Sequence, residues 1–328
     1  MKKILILLIT LLNTSCFLAQ DTNPYRKIIV SLDGSGEYTS IQEAVNSTRD
    51  LGPGVVEIFI KNGIYKEKLE IPSWKHQLTL IGEDKDKTII SHSDYSGKID
   101  SVTHKKHSTF TSYTVLVQGD DIQLQNLTIK NTSCNQGQAV ALHVEGDRFI
   151  AKNCNLLGCQ DTLYTATEGS RQYYKNCFIQ GTTDFIFGEA TVVFKDCTIK
   201  SLVNSYITAA ATPKNQTFGY VFFNAHLIAA DGVDKVYLGR PWRSYAKTVF
   251  ISTRMDAHIL KEGWNPWTGD KMFPDKDKTT YYAEYESVGE GASAETRVAW
   301  SHQLTDKELK KYKVNNILKG CDNWNPEK

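Results

Sequence analysis

The chain has 328 residues with 38 basic and 37 acidic side chains, which gives a formal net charge of +1. A hydrophobic content of 41% and a charged content of 23% are typical of a soluble globular protein. The balanced charge argues against nucleic acid or a membrane surface as a partner. No linker-like composition or charge block divides the chain, so we expect a leader at residues 1–20 and one domain over residues 21–328.

The first twenty residues have the pattern of an export signal. Lys2 and Lys3 form a basic start, and residues 4–12 are an apolar run too short to span a bilayer. Cleavage is expected near Ala19. A lipoprotein signal with Cys16 as the lipidated residue is the less favoured alternative, because its upstream residues lack the usual leucine. No later stretch is apolar enough to cross a membrane, so the mature protein is predicted to be secreted or periplasmic.

Outside the middle of the chain, the sequence predicts two short helices, a buried strand and a loop. Residues 40–43 form a capping-box pattern, which predicts a short helix that closes the N-terminal end of the domain. Residues 55–60 are predicted to be a buried strand and residues 63–65 its turn. Residues 92–112, rich in Ser, Thr, Lys and His, are predicted to be a loop. A second capping box at residues 305–308 predicts a terminal helix.

The middle of the chain repeats a short pattern, which is an Asn or Asp, a small or apolar residue, any residue and then an aliphatic residue. It occurs at Asn126, Asn153, Asn176, Asp196 and Asn224. Short alternating strands at irregular intervals of this size predict a parallel β-helix with loops of variable length. The repeated Asn is expected to satisfy backbone groups at a bend. A β-sandwich with accidental similarity is the less favoured alternative.

Cysteine is also part of this repeat. Cys154, Cys177 and Cys197 occupy the same repeat position, where small thiols pack well in an interior stack. The distance between adjacent turns would also tolerate a bridge, and an exported protein can form one. A Cys177–Cys197 disulfide therefore stays open.

Two aspartates carry the strongest functional signal. Asp161 and Asp184 each lie seven residues after a repeat cysteine, Cys154 and Cys177. Equal offsets stack on neighbouring turns, about 4.8 Å apart if the turns are paired strands. Adjacent carboxylates do not readily both ionise, so one is expected to hold a proton while the other is a nucleophile or base. The next turn offers Asn204 at this offset, so the acidic stack is expected to stop at two.

Two glutamines are expected to flank this pair. Gln138 precedes Gln160 by about one repeat, and Gln160 adjoins Asp161. Amide N–H groups beside two carboxylates suit acyl transfer, in which a carboxylate attacks, amides hold the oxyanion and a protonated acid assists the leaving group.

The chain resembles the pectin methylesterases, carbohydrate esterase family 8. The resemblance is weaker between its motifs but runs from about residue 28 to residue 300. The motifs, in the family's order, are GIYKE (63–67), QAVAL (138–142), GCQDTLY (158–164), DFIFG (184–188) and LGRPW (238–242). The resemblance implies an all-β fold, a right-handed parallel β-helix with short capping helices, and an enzyme that needs neither a metal nor a cofactor.

The resemblance also implies roles for the motif residues. Asp184 would be the nucleophile that attacks the C6 methyl ester of a galacturonate. Asp161 would protonate the departing methanol and then activate water. Gln138 and Gln160 would form the oxyanion hole, and Arg240 would bond to Asp184 and keep it ionised.

Aromatic residues of the same motifs would contact the sugar. Trp242 would pack against a ring, with Phe187 and Tyr164 as further contacts. Trp264 would be either another contact or a core residue, and Phe185 is expected in the core. The implied partner is methyl-esterified homogalacturonan, and we expect a monomer.

Two other functions remain open from the sequence. A β-helical polysaccharide lyase would act on the same polymer, normally with Ca²⁺ and a basic Arg or Lys, and sensitivity to a chelator would identify it. A non-catalytic carbohydrate-binding β-helix would keep the aromatic residues but need not keep Asp161, Asp184 and Arg240 together. His104 and His107 have an H-x-x-H spacing, but they lie in the Lys-rich loop without a Glu partner, so we predict no metal site.

Overall fold

The computed structural model describes residues 25–328. The predicted leader, its cleavage point and Cys16 lie outside the described residues. Within residues 25–328 the chain winds through three sheets in which every pair of neighbouring strands is parallel. The prediction of a parallel β-helix is therefore confirmed.

Strands are labelled in chain order. In spatial order, the first sheet contains β1 (Tyr25–Val30), β2 (Val55–Ile60), β5 (Leu78–Gly82), β8 (Gln123–Gln125), β11 (Phe149–Lys152), β14 (Arg171–Lys175), β17 (Thr191–Lys195), β20 (Tyr220–Phe223), β23 (Lys247–Ile251), β25 (Tyr281–Tyr285) and β26 (His302–Gln303). The second sheet contains β3 (Gly63–Tyr65), β6 (Thr88–His92), β9 (Thr128–Asn131), β12 (Asn155–Leu157), β15 (Phe178–Gly181), β18 (Thr198–Ser201), β21 (His226–Ala229) and β24 (Arg254–Met255). The third sheet contains β4 (Leu69–Ile71), β7 (Val115–Val117), β10 (Leu142–Val144), β13 (Leu163–Thr165), β16 (Ile186–Gly188), β19 (Tyr206–Ala210) and β22 (Tyr237–Gly239).

One turn of the helix takes one strand from each sheet, as in β11, β12 and β13. The predicted strand at residues 55–60 is β2, but the predicted turn at residues 63–65 is wrong. Those residues form β3, which pairs with β6, because the chain continues into the second sheet with only a short bend after β2.

The bend between the first and second sheets is made by a repeated left-handed residue. We call its members the amide row: Asn126, Asn153, Asn176, Asp196 and Asn224. Their φ angles lie between 51° and 56°, a region that Asn and Asp tolerate better than most residues. Two neighbouring pairs of the row bond through their side chains: the Asn153 amide donates to the Asn126 side-chain oxygen at 2.7 Å, and the Asn224 amide donates to Asp196 Oδ1 at 3.2 Å. The predicted bend is thus confirmed, but the side chains that bond here pair with each other and not with backbone groups as expected.

Interior side chains stack in register from turn to turn. Phe194, Phe222 and Phe250 occupy paired positions of the first sheet, with ring centroids 4.5 Å and 4.3 Å apart. Such pairs contribute roughly 0.5–1.5 kcal/mol each beyond the burial of their area. The repeat cysteines form a similar buried column, in which all three thiols are free. The Cys177–Cys197 disulfide that the sequence left open is therefore not formed, and packing accounts for these residues.

Helices lie near both ends of the described chain, and the first of them closes the N-terminal end of the β-helix. α1 (Ile41–Ser47) buries Ile41, Ala44 and Val45 against the first turns, as predicted. Half of the predicted capping box is present, since Ser40 Oγ accepts from the Glu43 amide at 3.4 Å, and the Glu67 carboxylate accepts from the amides of Ile41 and Gln42. At the other end, α2 (Asp306–Leu309) begins with the predicted capping box, and α3 (Val314–Leu318) packs on the outer face of the first sheet.

Residues 93–112, between β6 and β7, contain a 3₁₀ turn at Thr109–Thr111 and no strand, which agrees with the predicted loop. Further 3₁₀ turns are Lys276–Lys278 and Ala294–Thr296. Within residues 25–328, no helix is both long and apolar enough to cross a membrane.

Candidate active site

Asp161 and Asp184 lie on neighbouring turns at the same place relative to the third sheet. β13 and β16 pair with Leu163 opposite Ile186, and each aspartate stands two residues before its strand. The Asp161 amide donates to the Thr183 carbonyl at 3.1 Å, which ties the two bends together. The predicted stacking of the two aspartates is therefore confirmed.

Both aspartates have left-handed backbone conformations, with φ of 65° at Asp161 and 49° at Asp184. Both residues are buried, at 8% and 7% exposure. A non-glycine residue in this region is uncommon, and such bends concentrate at functional sites.

The stack ends at two carboxylates, but the next member is not Asn204. Two extra residues separate the second and third sheets on that turn, since Gly181 pairs with Ser201 whereas Ile186 pairs with Thr208. Tyr206 therefore occupies the next position of the stack, on the turn after that of Asp184. The Asp184 amide donates to the Tyr206 carbonyl at 2.9 Å.

Arg240 forms a bidentate ion pair with Asp184. Its Nε donates to Oδ1 at 2.9 Å and its Nη2 donates to Oδ2 at 2.7 Å. The residue follows β22 directly, so it projects from the turn two strands along the third sheet from β16. The guanidinium lies between two aromatic rings, 4.0 Å from the Tyr206 centroid and 3.6 Å from that of Trp267. Planar stacking and a fork-shaped ion pair together fix the orientation of Arg240.

The two carboxyl groups differ in their electrostatic surroundings. Burial raises the pKa of Asp161 well above its ordinary value, and the negative charge of Asp184 raises it further. Burial also raises the pKa of Asp184, but the hydrogen bonds and charge of Arg240 oppose that rise. Asp161 is thus the group that holds a proton, and Asp184 is the group that ionises first.

These groups open into a cleft of about 350 Å³. Its lining residues are Thr109, Phe110, Gln138, Gln160, Asp161, Asp184, Phe187, Ala209, Arg240, Trp242 and Trp267. The two predicted amide donors, Gln138 and Gln160, therefore share one cavity with both carboxylates. This brings together every polar residue that the sequence predicted for the site.

A disulfide joins the segments that carry the two glutamines. Cys134 bonds to Cys159, with 5.3 Å between their Cα atoms. Cys159 directly precedes Gln160, and Cys134 lies four residues before Gln138 in the loop after β9. The bridge thus restrains both candidate oxyanion donors.

The predicted aromatic contacts divide into two groups. Phe187 and Trp242 line the cleft, with ring centroids 5.7 Å apart. Tyr164 does not line the cleft; it lies on the neighbouring strand β13, where it pairs with Phe187, and its ring stacks flat on that of Phe187 at 4.6 Å, so it supports that wall from the side. Phe185 is fully buried in the core, as predicted.

Trp264 is not a substrate contact. It is 1% exposed and stacks on Tyr282 in the interior of the β-helix at 4.2 Å. Trp267, three residues later, lines the cleft instead. The Asn265 side chain accepts from the Trp267 amide at 2.8 Å, and this bend places the two indoles on opposite sides of the wall.

Sequence reasoning also missed Thr109, Phe110 and Ala209, which line the cleft. Ala209 follows from the register, since it pairs with Phe187. The other two lie in the loop that connects β6 and β7, where no periodic pattern indicates direction. Among residues 25–328, no group of three or more His, Cys, Asp or Glu is placed to hold a metal ion.

The arrangement is suited to acyl transfer. It has an ionised carboxylate held by a guanidinium, a protonated carboxyl on the next turn, and two amides at the same cavity. Aromatic walls beside these groups suit the flat apolar face of a sugar ring.

Comparisons with known proteins point to one family. The family model for pectinesterase matches residues 27–321. Pectinesterase 2 from Citrus sinensis is 37% identical over 320 residues, which cover 93% of this chain and 60% of that protein. The chain thus spans only about half to three-fifths of the length of the curated relatives it matches.

Solved structures share the fold along nearly their whole length. The pectin methylesterase from carrot superposes with a TM-score of 0.82 at 32% identity, covering 90% of this chain and 93% of that one. Pectin methylesterase PemA from Erwinia chrysanthemi superposes with a TM-score of 0.81 at 31% identity, covering 91% and 98%. From the family model and these similarities, the chain belongs to the pectinesterase family.

Proposed function

We propose that this protein is a pectin methylesterase, which hydrolyses C6 methyl esters of homogalacturonan to methanol and de-esterified pectin. The observation that carries the proposal is the bidentate ion pair between Asp184 and Arg240, beside the buried Asp161. Its two hydrogen bonds are 2.9 Å and 2.7 Å long. A reactive carboxylate and a proton donor on adjacent turns are what ester cleavage through an acyl-enzyme needs.

In the first step, an Asp184 oxygen attacks the ester carbonyl carbon and the C=O electron pair moves onto oxygen. The side-chain amides of Gln138 and Gln160 donate hydrogen bonds to this oxyanion. Collapse of the tetrahedral intermediate breaks the bond to the methoxy group. Asp161 gives its proton to that group, so methanol leaves and Asp184 is joined to the galacturonate as an anhydride.

In the second step, Asp161 is ionised and removes a proton from water. The hydroxide attacks the galacturonyl carbonyl of the anhydride, and the bond to Asp184 breaks. The product is a galacturonic acid, which releases its proton to solvent water and becomes a carboxylate, while Asp184 returns as a carboxylate and Asp161 again holds a proton. Arg240 keeps Asp184 ionised and oriented before the next turnover, and the cycle uses no cofactor.

The substrate fits the walls of the cleft. Trp242 and Phe187 meet edge to face at one side, and Trp267 forms another side next to Arg240. Sugar rings stack on such faces through their C–H groups. We propose that the polymer bound there is methyl-esterified homogalacturonan and that the protein binds it as a monomer.

We also propose a secreted or periplasmic location, with residues 1–20 as the signal. The Cys134–Cys159 disulfide supports this, since structural disulfides persist in oxidising compartments.

The test is methanol release from highly methylated pectin with EDTA present, while polymer length and unsaturated chain ends are followed in parallel. Methanol without chain shortening is the expected result. Chain cleavage that EDTA abolishes, without methanol, would instead identify a lyase. Binding of the polymer with neither reaction would identify a carbohydrate-binding β-helix.

A further inference from the structure

Lys276 is a buried cation beside the cleft that the proposed chemistry does not use. It begins the 3₁₀ turn Lys276–Lys278, in the segment that follows Trp267. Its side chain has 0% exposure, whereas that of Lys278 in the same turn is 69% exposed. Burying an ammonium group costs free energy unless other groups pair with it, so the partners of Lys276 indicate its role.

The ammonium group of Lys276 has three partners. It is 2.7 Å from Asp270 Oδ2, it donates to the Trp242 carbonyl at 3.5 Å, and it lies 4.3 Å from the centroid of the Trp267 ring. One side chain therefore contacts both tryptophans that line the cleft. Attraction between a cation and an indole face is strongest where water is excluded.

Trp267 is consequently held between two cations. Lys276 lies over its ring at 4.3 Å, and Arg240 lies over its ring at 3.6 Å. Arg240 in turn forms the ion pair with Asp184. A continuous series of contacts thus runs from the buried ammonium through the indole and the guanidinium to the proposed nucleophile.

We propose that Lys276 is a positioning residue for ester hydrolysis, which clamps Trp267 against Arg240 and thereby fixes and favours the Asp184 carboxylate. The inference rests on the proposed function. It adds a residue that touches neither the reacting atoms nor the polymer and acts through Trp267 and through its charge.

Charges around Lys276 determine the sign of its effect. The groups that face it are the Asp270 carboxylate and the guanidinium groups of Arg243 and Arg240. Burial lowers the pKa of Lys276, whereas Asp270 opposes that lowering. Burial raises the pKa of Asp184, and the positive charges of Arg240 and Lys276 oppose that rise. Losing the ammonium should therefore raise the pKa of the nucleophile.

The principal test is Lys276→Met, which keeps an unbranched side chain of similar length and removes the charge. We expect kcat for methanol release to fall by about tenfold or more, because a misplaced ion pair is costly in a preorganised site. The acidic limb of the kcat/KM profile should move to higher pH, while KM changes much less. Lys278→Met is the matched control, since it removes an exposed lysine two residues away and should leave kcat and the limb unchanged.

A second variant, Asp270→Asn, guards against a folding defect. The amide oxygen of Asn can still accept from the backbone amides of Met272 and Phe273, which Asp270 Oδ1 caps at 3.0 Å and 3.2 Å. Near the acidic limb Lys276 stays protonated, and its charge is then no longer balanced by Asp270. The limb should therefore move to lower pH, opposite to the shift in Lys276→Met.

A residue that only anchors its loop would lower the melting temperature in both variants without moving the acidic limb, and that result would overturn the inference. Wild-type kcat in Lys276→Met would overturn it too. If the wild type releases no methanol, the proposed function fails separately. The inference is then judged by ¹³C NMR titration of Asp184, whose pKa must be higher in Lys276→Met than in the wild type.

Discussion

The β-helix contains two sets of stacked left-handed bends, and they are used in opposite ways. The amide row turns the chain from the first sheet to the second, with φ between 51° and 56°. Asp161 and Asp184 turn it from the second sheet towards the third, with φ of 65° and 49°. Both sets place a short polar side chain at the same position of successive turns.

The difference lies in what the stacked side chains do to one another. In the amide row an Asn side chain can donate and accept, so neighbours can satisfy each other, as Asn153 and Asn126 do at 2.7 Å. The one carboxylate of the row, Asp196, accepts from the Asn224 amide at 3.2 Å. Ionised carboxylates can only accept, so stacking two of them in a buried place raises the pKa of Asp161 well above its ordinary value. The same backbone geometry therefore supports stability at one corner and reactivity at another.

The largest expected effect comes from Asp184→Ala. Methanol release should fall by about 10⁴-fold or more, since the variant has no nucleophile to form the acyl-enzyme. Far-UV circular dichroism should show that the β-helix persists, because the residue lies at a bend outside the strands. Substantial remaining turnover in a folded variant would mean that another group attacks the ester.

The next effect is that of Asp161→Asn, which removes the proton donor and base but keeps the shape of the side chain. We expect a loss of roughly 10²- to 10⁴-fold in kcat. Assays of methanol release across a range of pH would measure it. An enzyme that keeps most of its activity would rule out Asp161 as the acid and base.

Stability should respond to this change with a definite sign. The folded protein raises the pKa of Asp161, so the stability contributed by its proton is complete below about pH 4 and is lost as pH rises through the folded pKa. Asn does not titrate, so the melting temperature of Asp161→Asn relative to the wild type should increase with pH. A difference that does not change with pH would contradict the raised pKa.

Cysteines sharpen the comparison. Behind the amide row they form a column of free thiols, whereas Cys159, two residues before Asp161, is cross-linked to Cys134. The double variant Cys134→Ser, Cys159→Ser should lose about 3 kcal/mol of unfolding free energy, from the entropy of the released loop. Its kcat should also fall by about tenfold, because Gln138 and Gln160 are no longer restrained.

Urea unfolding and methanol release would measure these two effects. Cys321→Ser is the control, since Cys321 is a free, exposed cysteine near the C-terminus and should change neither. A double variant with full stability would show that the loop is held by its other contacts.

Most of the regular structure could be predicted from the sequence because it depends on local pattern. The repeat at Asn153 and Asn176 fixes the length of a turn, and equal offsets then place Asp161 beside Asp184. The same argument was wrong one turn later at Asn204, because two extra residues between the sheets shift the register to Tyr206. Periodicity thus predicts position only while the spacing between strands stays constant.

The parts that could not be predicted depend on irregular segments. Cys134 lies in the loop after β9, so its pairing with Cys159 follows from the path of that loop and not from the repeat. No sequence pattern distinguishes Trp264 from Trp267, and only the bend at Asn265 decides which of them faces the cleft. For such residues the direction of a side chain is set by tertiary contacts.

The smallest expected effect tests the stabilising set of bends. Asn153→Ala removes the hydrogen bond to Asn126 and puts a side chain without local hydrogen bonds at φ of 52°. We expect a loss of about 1–2 kcal/mol in unfolding free energy by urea denaturation, with unchanged kcat. Asn153→Gly also loses the hydrogen bond but adopts this conformation freely, so it should be less destabilising than Ala. If Ala and Gly were equally destabilising, the left-handed bend would not be the reason for Asn in the row. If either variant lowered kcat, the amide row and the carboxylate pair would be coupled, and the division between a corner for stability and a corner for chemistry would fail.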